Sequence, residues 1–330
     1  MERSRSRHPG KPLRVFLAGG IAGLLAPIAA AQTVPPEAVD QFKHTIGNRI
    51  EAVTVLGGDY GAAGGIYTFR GGTLANVGFT RIGGCGDVSA EKPIGSGDFS
   101  WAPVLLGNVG DVWSENTFQD GYLAGNQMRY EVLALEAGGG ARVYYGDHIS
   151  VAATLAGIYG HIENEFQAHN TLGNLVKDAA SGTYVDWTAE TWSIVPGLTA
   201  DYVWYWGRNY FDISSRYNFF HTETFSSSSP LISGNGNSDT WENKIDADIP
   251  LGLKLGALEL HTGGFFSRTD LWGGVEQGLG TGHIYTANGR LVLDCLGHAW
   301  VFKWFGFGAS YFWSDNMGGW SAGLDLRLQF

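Results

Sequence analysis

Basic residues are scarce in this sequence. Its 330 residues include 21 Lys or Arg against 32 Asp or Glu, which gives a formal net charge of −11. Proteins that bind nucleic acid neutralise its phosphates with a basic face. The charge balance therefore argues against a nucleic-acid partner.

Cysteines and long apolar runs are also few. The two cysteines, Cys85 and Cys295, lie far apart and neither is accompanied by metal-ligand spacing. An exported protein allows them to form a disulfide, but two free thiols fit the sequence equally well. After residue 31, no stretch reaches the ~20 apolar residues that a spanning helix needs. A protein that crosses a membrane through helices is therefore excluded.

The first 31 residues predict a cleaved signal peptide. Five basic residues between Arg3 and Arg14 precede an apolar segment, Val15 to Ile28, and the small residues Ala29-Ala30-Ala31 follow it. The alternative is a single membrane anchor, but the apolar segment is too short for one. We therefore expect an exported protein and exclude residues 1–31 from the fold prediction.

Glycine and aromatic residues, in contrast, are abundant. The sequence has 50 glycines, 12 tryptophans, 14 tyrosines and 18 phenylalanines, with only 10 prolines. Glycine serves turns and close backbone approaches, while Trp and Tyr favour the membrane–water boundary. This composition is typical of transmembrane β-barrels.

The residue pattern divides the exported chain into two parts. Residues 32–50 contain a short helical pattern, which predicts a periplasmic or lumenal lead-in. From residue 51 to 330, alternating segments of about 8–14 residues are separated by Gly, Asn, Asp and Ser clusters. The sequence therefore predicts an all-β fold, a transmembrane antiparallel up-and-down β-barrel of about 12 strands. A soluble β-sandwich is the competing fold, but it has no reason to place Trp and Tyr at strand ends.

Local patterns predict several turns and loops. Gly138-Gly139-Gly140 predicts a hairpin turn, and the stretch Gly252 to Gly256 predicts another tight turn. Asn288-Gly289 predicts a turn or a strand irregularity. Two neighbouring strands are expected at Tyr184 to Thr191 and Ser193 to Trp206. Polar composition predicts external loops at Glu163 to Gly182, Ser226 to Thr240 and Arg268 to Thr281.

The last strand has one apolar and one polar face. The apolar face consists of alternating residues, namely Trp320, Ala322, Leu324, Leu326, Leu328 and Phe330. This strand resembles the C-terminal signal of Gram-negative outer-membrane barrels, which ends in an aromatic residue. The resemblance implies that Leu324, Leu326, Leu328 and Phe330 are read by the barrel-assembly machinery. It also implies that the protein lies in outer-membrane lipid and lipopolysaccharide.

Two groups of polar residues are candidate sites. Five alternating charged residues are predicted to line the lumen, where they would tune ion selectivity or brace a plugged barrel: Lys244, Asp246, Asp248, Asp325 and Arg327. A second group is predicted at the outer rim: His161, Glu163, Glu165, His221 and Glu223. If their strands were neighbours, this group would suit a divalent cation. The sequence favours a solvated polar rim, and no metal or other cofactor is expected.

Two Ser/His pairs are the candidates for a catalytic site. Outer-membrane lipid hydrolases need a serine in contact with a histidine. Here His148 with Ser150 and His298 with Ser310 are the nominees. Neither pair has the flanking motif of those enzymes, so no catalytic residues are expected.

Three segments resemble the solitary outer-membrane autotransporter β-barrel family. They are Trp101 to Gly107, Gly140 to Gly146 and Ile158 to Asn164. The resemblance implies a translocator-like barrel without a secreted passenger, and only about 20–30 residues separate Ala31 from the first expected strand. We expect a narrow channel or a structural surface protein. The alternatives are an adhesin or ligand-binding barrel that acts through external loops, and a lipid hydrolase. The sequence leaves the oligomeric state open.

Overall fold

The computed structural model describes residues 61–69, 76–89, 91–118, 123–229, 231–232, 235–295 and 302–328. The predicted signal peptide, the lead-in at residues 32–50 and the chain up to residue 60 lie outside these ranges. Thirteen strands and two helices are described: β1 (Gly61–Phe69), β2 (Asn76–Asp87), β3 (Lys92–Pro93), β4 (Phe99–Thr117), β5 (Gln127–Tyr145), β6 (Ile149–Gln167), α1 (Thr171–Ala180), β7 (Trp187–Trp206), β8 (Asn209–Ser227), β9 (Asn235–Leu255), β10 (Leu258–Gly273), α2 (Gly274–Leu279), β11 (His283–Asp294), β12 (Phe302–Trp313) and β13 (Met317–Leu328).

Twelve of these strands form one closed antiparallel barrel. Each strand pairs with the next along the chain, and β1 pairs with β13 to complete the ring. The exception is the two-residue β3, which is not one of the twelve. It pairs with the start of β4, and the next barrel strand after β2 is β4. The predicted all-β, up-and-down barrel of about 12 strands is confirmed. Closure matters because it leaves no unpaired strand edge.

Side chains alternate between the lumen and the outer surface. In β6, Ile158 and Ile162 are buried inside, while Leu155 and Tyr159 are exposed outside. In β13, Trp320 and Leu324 face outwards and Ser321 is buried, as the sequence predicts for this part of the strand. The apolar stripe of each strand thus covers the outside of the barrel.

The Gly138-Gly139-Gly140 segment is not a turn, and this prediction is wrong. β5 runs unbroken from Gln127 to Tyr145. A Cβ at Gly138 would lie 2.5 Å from the Leu155 carbonyl oxygen, and one at Gly140 would lie 2.0 Å from the Ala153 oxygen. Glycine is needed here because the β6 backbone passes too close for any side chain.

Several predicted breaks are also continuous strand. β7 joins the two expected strands into one, and β11 runs through Asn288-Gly289. β9 runs through Gly252 to Leu255 before turning at Gly256-Ala257. The predicted loops Ser226 to Thr240 and Arg268 to Thr281 are shortened, because β8 and β9 extend into the first and β10 into the second. Where both faces of a strand are polar, the alternation of apolar and polar residues disappears from the sequence. The strand then looks like a loop, although its backbone hydrogen bonds continue.

The two ends of the barrel differ. One end, the turn end, has short connections such as Gly146-Asp147-His148 and Gly207-Arg208. The other end, the loop end, carries α1 and α2, which the sequence did not predict. The wall is also uneven: β4 to β9 have 19 to 21 residues each, whereas β11 has 12.

Candidate functional site in the barrel lumen

The lumen is filled with apolar side chains at the loop end. Val275 and Leu279 of α2 are 0% and 1% exposed, and the Val275 backbone amide donates a 3.0 Å hydrogen bond to the Ser238 hydroxyl of β9. Around α2 lies one continuous apolar cluster, here called the plug. Its members are Val77, Phe79, Val112, Val132, Ile162, Trp187, Ala189, Ile232, Leu271, Val275, Leu279, Ile284, Phe312 and Met317.

The plug crosses the lumen from wall to wall. Its members come from β2, β4, β5, β6, β7, β10, β11, β12 and β13, in addition to α2 and Ile232. A second cluster of Leu123, Met128, Phe166, Ala180 and Val185 packs beside it under α1. Tyr130 packs against both clusters. Apolar side chains from nine strands and from both helices therefore pack together at this end of the barrel.

A cavity of about 150 Å³ lies beneath the plug. It is lined by side chains from β2, from every strand between β4 and β12, and from α2. Its charged lining residues are Arg81, Glu136, Arg216 and Glu242. Among them, Arg216 Nη2 lies 3.2 Å from Glu242 Oε2. The cavity thus joins an apolar roof to a charged wall.

A charged layer follows towards the turn end. Arg290, whose side chain is 3% exposed, donates two hydrogen bonds to Asp246, of 2.7 and 3.1 Å. The Nδ1 atom of His261 lies 2.7 Å from Asp248 Oδ2. Trp304 Nε1 donates a 2.8 Å hydrogen bond to Asp325, and the Arg290 guanidinium lies 5.2 Å from the Trp304 ring centroid. Strands β9 to β13 are therefore linked along the inner wall by hydrogen bonds and one cation–π contact.

Four of the five predicted lumen residues have described side chains, and all four point inwards. Asp246, Asp248 and Asp325 belong to the charged layer, and the Lys244 ammonium lies 5.6 Å from the Phe265 ring centroid. The side chain of Arg327 lies outside the described residues. Sequence reasoning missed Arg290 and His261. Alternation in β11 could have predicted that Arg290 faces the lumen, because it shares one face of the strand with the polar residues Thr286 and Asn288.

The predicted rim residues lie on the outer surface near the loop end. His161 Nε2 is 3.3 Å from Glu163, and His221 Nε2 is 3.2 Å from Glu223. The exposed Glu165 accepts a 3.3 Å hydrogen bond from Gln167. However, β7 separates β6 from β8, so the two halves of the cluster are not neighbours. Within the described ranges, no three His, Cys, Asp or Glu side chains are arranged to hold a metal ion.

The other nominated residues are not brought together. The Ser150 hydroxyl donates to Asp201 at 3.1 Å, and His148 Nδ1 lies 2.8 Å from the Val203 carbonyl oxygen. Ser310 accepts a 2.9 Å hydrogen bond from Asn288, while His298 lies outside the described residues. Cys85 and Cys295 are free thiols.

Only part of the predicted assembly signal can be described. Leu324 is exposed on the outer face of β13. Leu326 pairs with Phe305 and Leu328 with Phe302 through the backbone, but their side chains, and the whole of Phe330, lie outside the described residues.

The outer surface has three bands. Apolar residues such as Leu105, Leu155 and Leu198 form the middle. Aromatic residues flank this band on both sides: Trp113, Tyr159, Trp241, Tyr311 and Trp320 towards the loop end, and Phe99, Tyr145, Tyr202, Trp206 and Phe305 towards the turn end. Charged groups such as Glu163 and Glu165 lie beyond the aromatic belt at the loop end. This order is typical of a barrel in a lipid bilayer. Among the helices that the structure describes, none has the length and apolar character to cross a membrane.

Comparison with known proteins identifies the family. Residues 106–324 match the sequence profile described as the solitary outer membrane autotransporter β-barrel domain. The transport unit of the autotransporter AIDA-I from Escherichia coli is 9% identical, with a TM-score of 0.53 over 88% of this chain and 99% of that chain. The β-domain of the Bordetella autotransporter BrkA is 12% identical, with a TM-score of 0.50 over 80% and 96%. At these identities the two structures show the fold alone. A search of curated protein sequences found no match. Because the matched profile covers more than half of the chain, the protein belongs to the solitary outer-membrane autotransporter β-barrel family and is an integral outer-membrane protein.

Proposed function

We propose that this protein is a closed outer-membrane barrel that acts at the cell surface and is not a permanently open pore. The plug carries the proposal, because α2 and nine strands contribute to one apolar cluster across the lumen. An ion that entered this cluster would lose its hydration without gaining polar partners. Short turns face the periplasm and longer loops face outwards in barrels of this kind, so the plug would close the outer mouth.

Single-channel recording in a planar bilayer tests this closure. The refolded protein is expected to give no steady conductance steps, with a heat-dependent gel shift to show that it is folded. Replacing Leu279 by Asp places a charge inside the plug and should produce steps, and Leu279→Ala is a milder change at the same position. The matched control is Gln277→Asp, which adds the same charge at an exposed position of α2. Steady, ion-selective steps from the folded wild-type protein would contradict the proposal.

A second candidate function is binding to an external surface through α1. Leu172 and Leu175 of this helix are 40% and 59% exposed, one turn apart on the loop end. Exposed leucines beyond the membrane favour contact with another apolar surface. The double substitution Leu172→Ser and Leu175→Ser should reduce adhesion of expressing cells to other cells or matrix, and Asp178→Asn on the same helix should not. Unchanged adhesion of the leucine variant would reject this function.

We also propose two partners. The barrel-assembly machinery would read the C-terminal strand, and a photoreactive residue at Leu324 would then capture it during assembly. Lipopolysaccharide phosphates would contact outward arginines near the loop end, such as Arg129 and Arg268, which are 44% and 50% exposed. Native mass spectrometry of the purified barrel would detect the retained lipid.

A further inference from the structure

We propose that the lumenal cavity binds a small zwitterion with an apolar body, such as a free apolar amino acid. This inference goes beyond closure of the barrel, because ligand binding and conductance are measured separately. It rests on the size of the cavity, on its two-part lining and on one buried hydroxyl.

The size of the cavity limits the ligand. Its volume of about 150 Å³ is well below the ~300–1,000 Å³ of pockets for drug-sized molecules. An apolar cavity of about 150 Å³ holds a molecule the size of benzene. A free amino acid such as leucine has only a few more non-hydrogen atoms than benzene and lies near this limit, whereas a peptide or a lipid far exceeds it.

The apolar lining would hold the body of the ligand. The roof is formed by plug residues, namely Leu271, Val275, Leu279, Ile284 and Phe312. A third apolar cluster lines the wall between β4 and β8, and its members at the cavity are Leu106, Ala156, Val195 and Phe220. An aliphatic or aromatic side chain would be shielded from water on both surfaces, which favours its binding.

The charged lining would select the head of the ligand. It contains two guanidinium groups, Arg81 and Arg216, and two carboxylates, Glu136 and Glu242. The four charges balance, so a ligand with a net charge would leave one charge uncompensated inside the lumen. A zwitterion adds one charge of each sign and keeps the balance. Its carboxylate suits an arginine, and its ammonium suits a glutamate.

Ser267 supplies a second, independent indication of a polar ligand. It lines the cavity from β10 and is 1% exposed. Its hydroxyl has no hydrogen-bond partner among the described residues. A buried hydroxyl without a partner is unfavourable, and rotation of the Ser267 side chain towards the cavity would let the head group of a bound zwitterion satisfy it.

Calorimetry on the full barrel, refolded in micelles and then titrated with each probe, tests the proposal. The probes are L-leucine, 4-methylpentanoate, which lacks the cation, and L-leucinamide, which lacks the anion. Leucine is expected to bind at least about tenfold more tightly than either analogue, because each analogue loses a charged contact. No binding of leucine to the folded wild-type protein, or equal binding of the three probes, would overturn the proposal.

Three variants test the lining residues. Glu136→Gln and Arg81→Gln should each weaken leucine binding about tenfold, and Ser267→Ala should weaken it by a smaller factor. Arg129→Gln is the control, because Arg129 lies on the outer surface of β5. The gel shift selects the variants that fold. If the variants at the charged positions do not fold, Ser267→Ala remains as the smallest change to the lining. Unchanged leucine affinity in a folded lining variant would assign binding to another place on the barrel.

Discussion

Replacing Arg290 by methionine is expected to lower the free energy of unfolding by about 3–5 kcal/mol, the loss typical of a broken buried ion pair. The Arg290 side chain is 3% exposed and that of its partner Asp246 is 13% exposed. Asp248 and Asp325 lie in the same layer. Without the guanidinium, carboxylates buried in the lumen would lose their compensating charge. Urea unfolding of the refolded barrel, followed by the gel shift, measures the loss.

Arg268→Met is the matched control for this substitution. Arg268 also pairs with an aspartate, Asp270, at 2.6 Å, but its side chain is 50% exposed on the outer surface. Exposed pairs contribute about 0–1 kcal/mol, so the control should be nearly as stable as the wild type. Adding Asp246→Asn to Arg290→Met should restore part of the loss, because it removes one uncompensated charge. Equal losses from Arg290→Met and Arg268→Met would mean that the lumenal layer is well solvated.

Leu155→Arg is expected to prevent assembly of most of the protein. Leu155 is 58% exposed on the outer face of β6, between the two aromatic belts. An arginine near the bilayer midplane is unfavourable by about 2–4 kcal/mol. The folded fraction in outer membranes, measured from the heat-dependent gel shift, should fall sharply.

The control for Leu155→Arg lies on the same strand. Glu163 also points outwards, but it lies beyond Tyr159, and its side chain is 61% exposed. Glu163→Arg should assemble as the wild type does, because this position lies outside the apolar band. If both arginine variants assembled equally well, the assignment of the lipid-facing band would be wrong.

The sequence predicts the barrel better than it predicts the lumen. The approximate strand number and the two faces of β13 follow from local alternation, and closure follows because a sheet in lipid cannot keep an unpaired edge. The wrong prediction at Gly138–Gly140 shows where sequence reasoning ends. Glycine serves either a turn or a close backbone approach, and only the position of the neighbouring strand distinguishes the two. The plug was missed because α2 has only six residues, Gly274–Leu279, and the apolar cluster around it is assembled from nine strands, most of them distant in the chain. Arg290 was missed because its partner Asp246 is 44 residues away in the chain.

Because its strands differ in length, the barrel wall is higher on one side than on the other. With a rise of about 3.3 Å per residue and a tilt of about 40°, a 12-residue strand spans about 30 Å of height and a 20-residue strand about 50 Å. The sector from β4 to β9 thus stands roughly 20 Å taller than the sector at β11. It screens the loops from large molecules that arrive sideways from that direction. Such molecules reach α2 most easily over the low sector, so the orientation of the barrel about its own axis decides which neighbours can contact it.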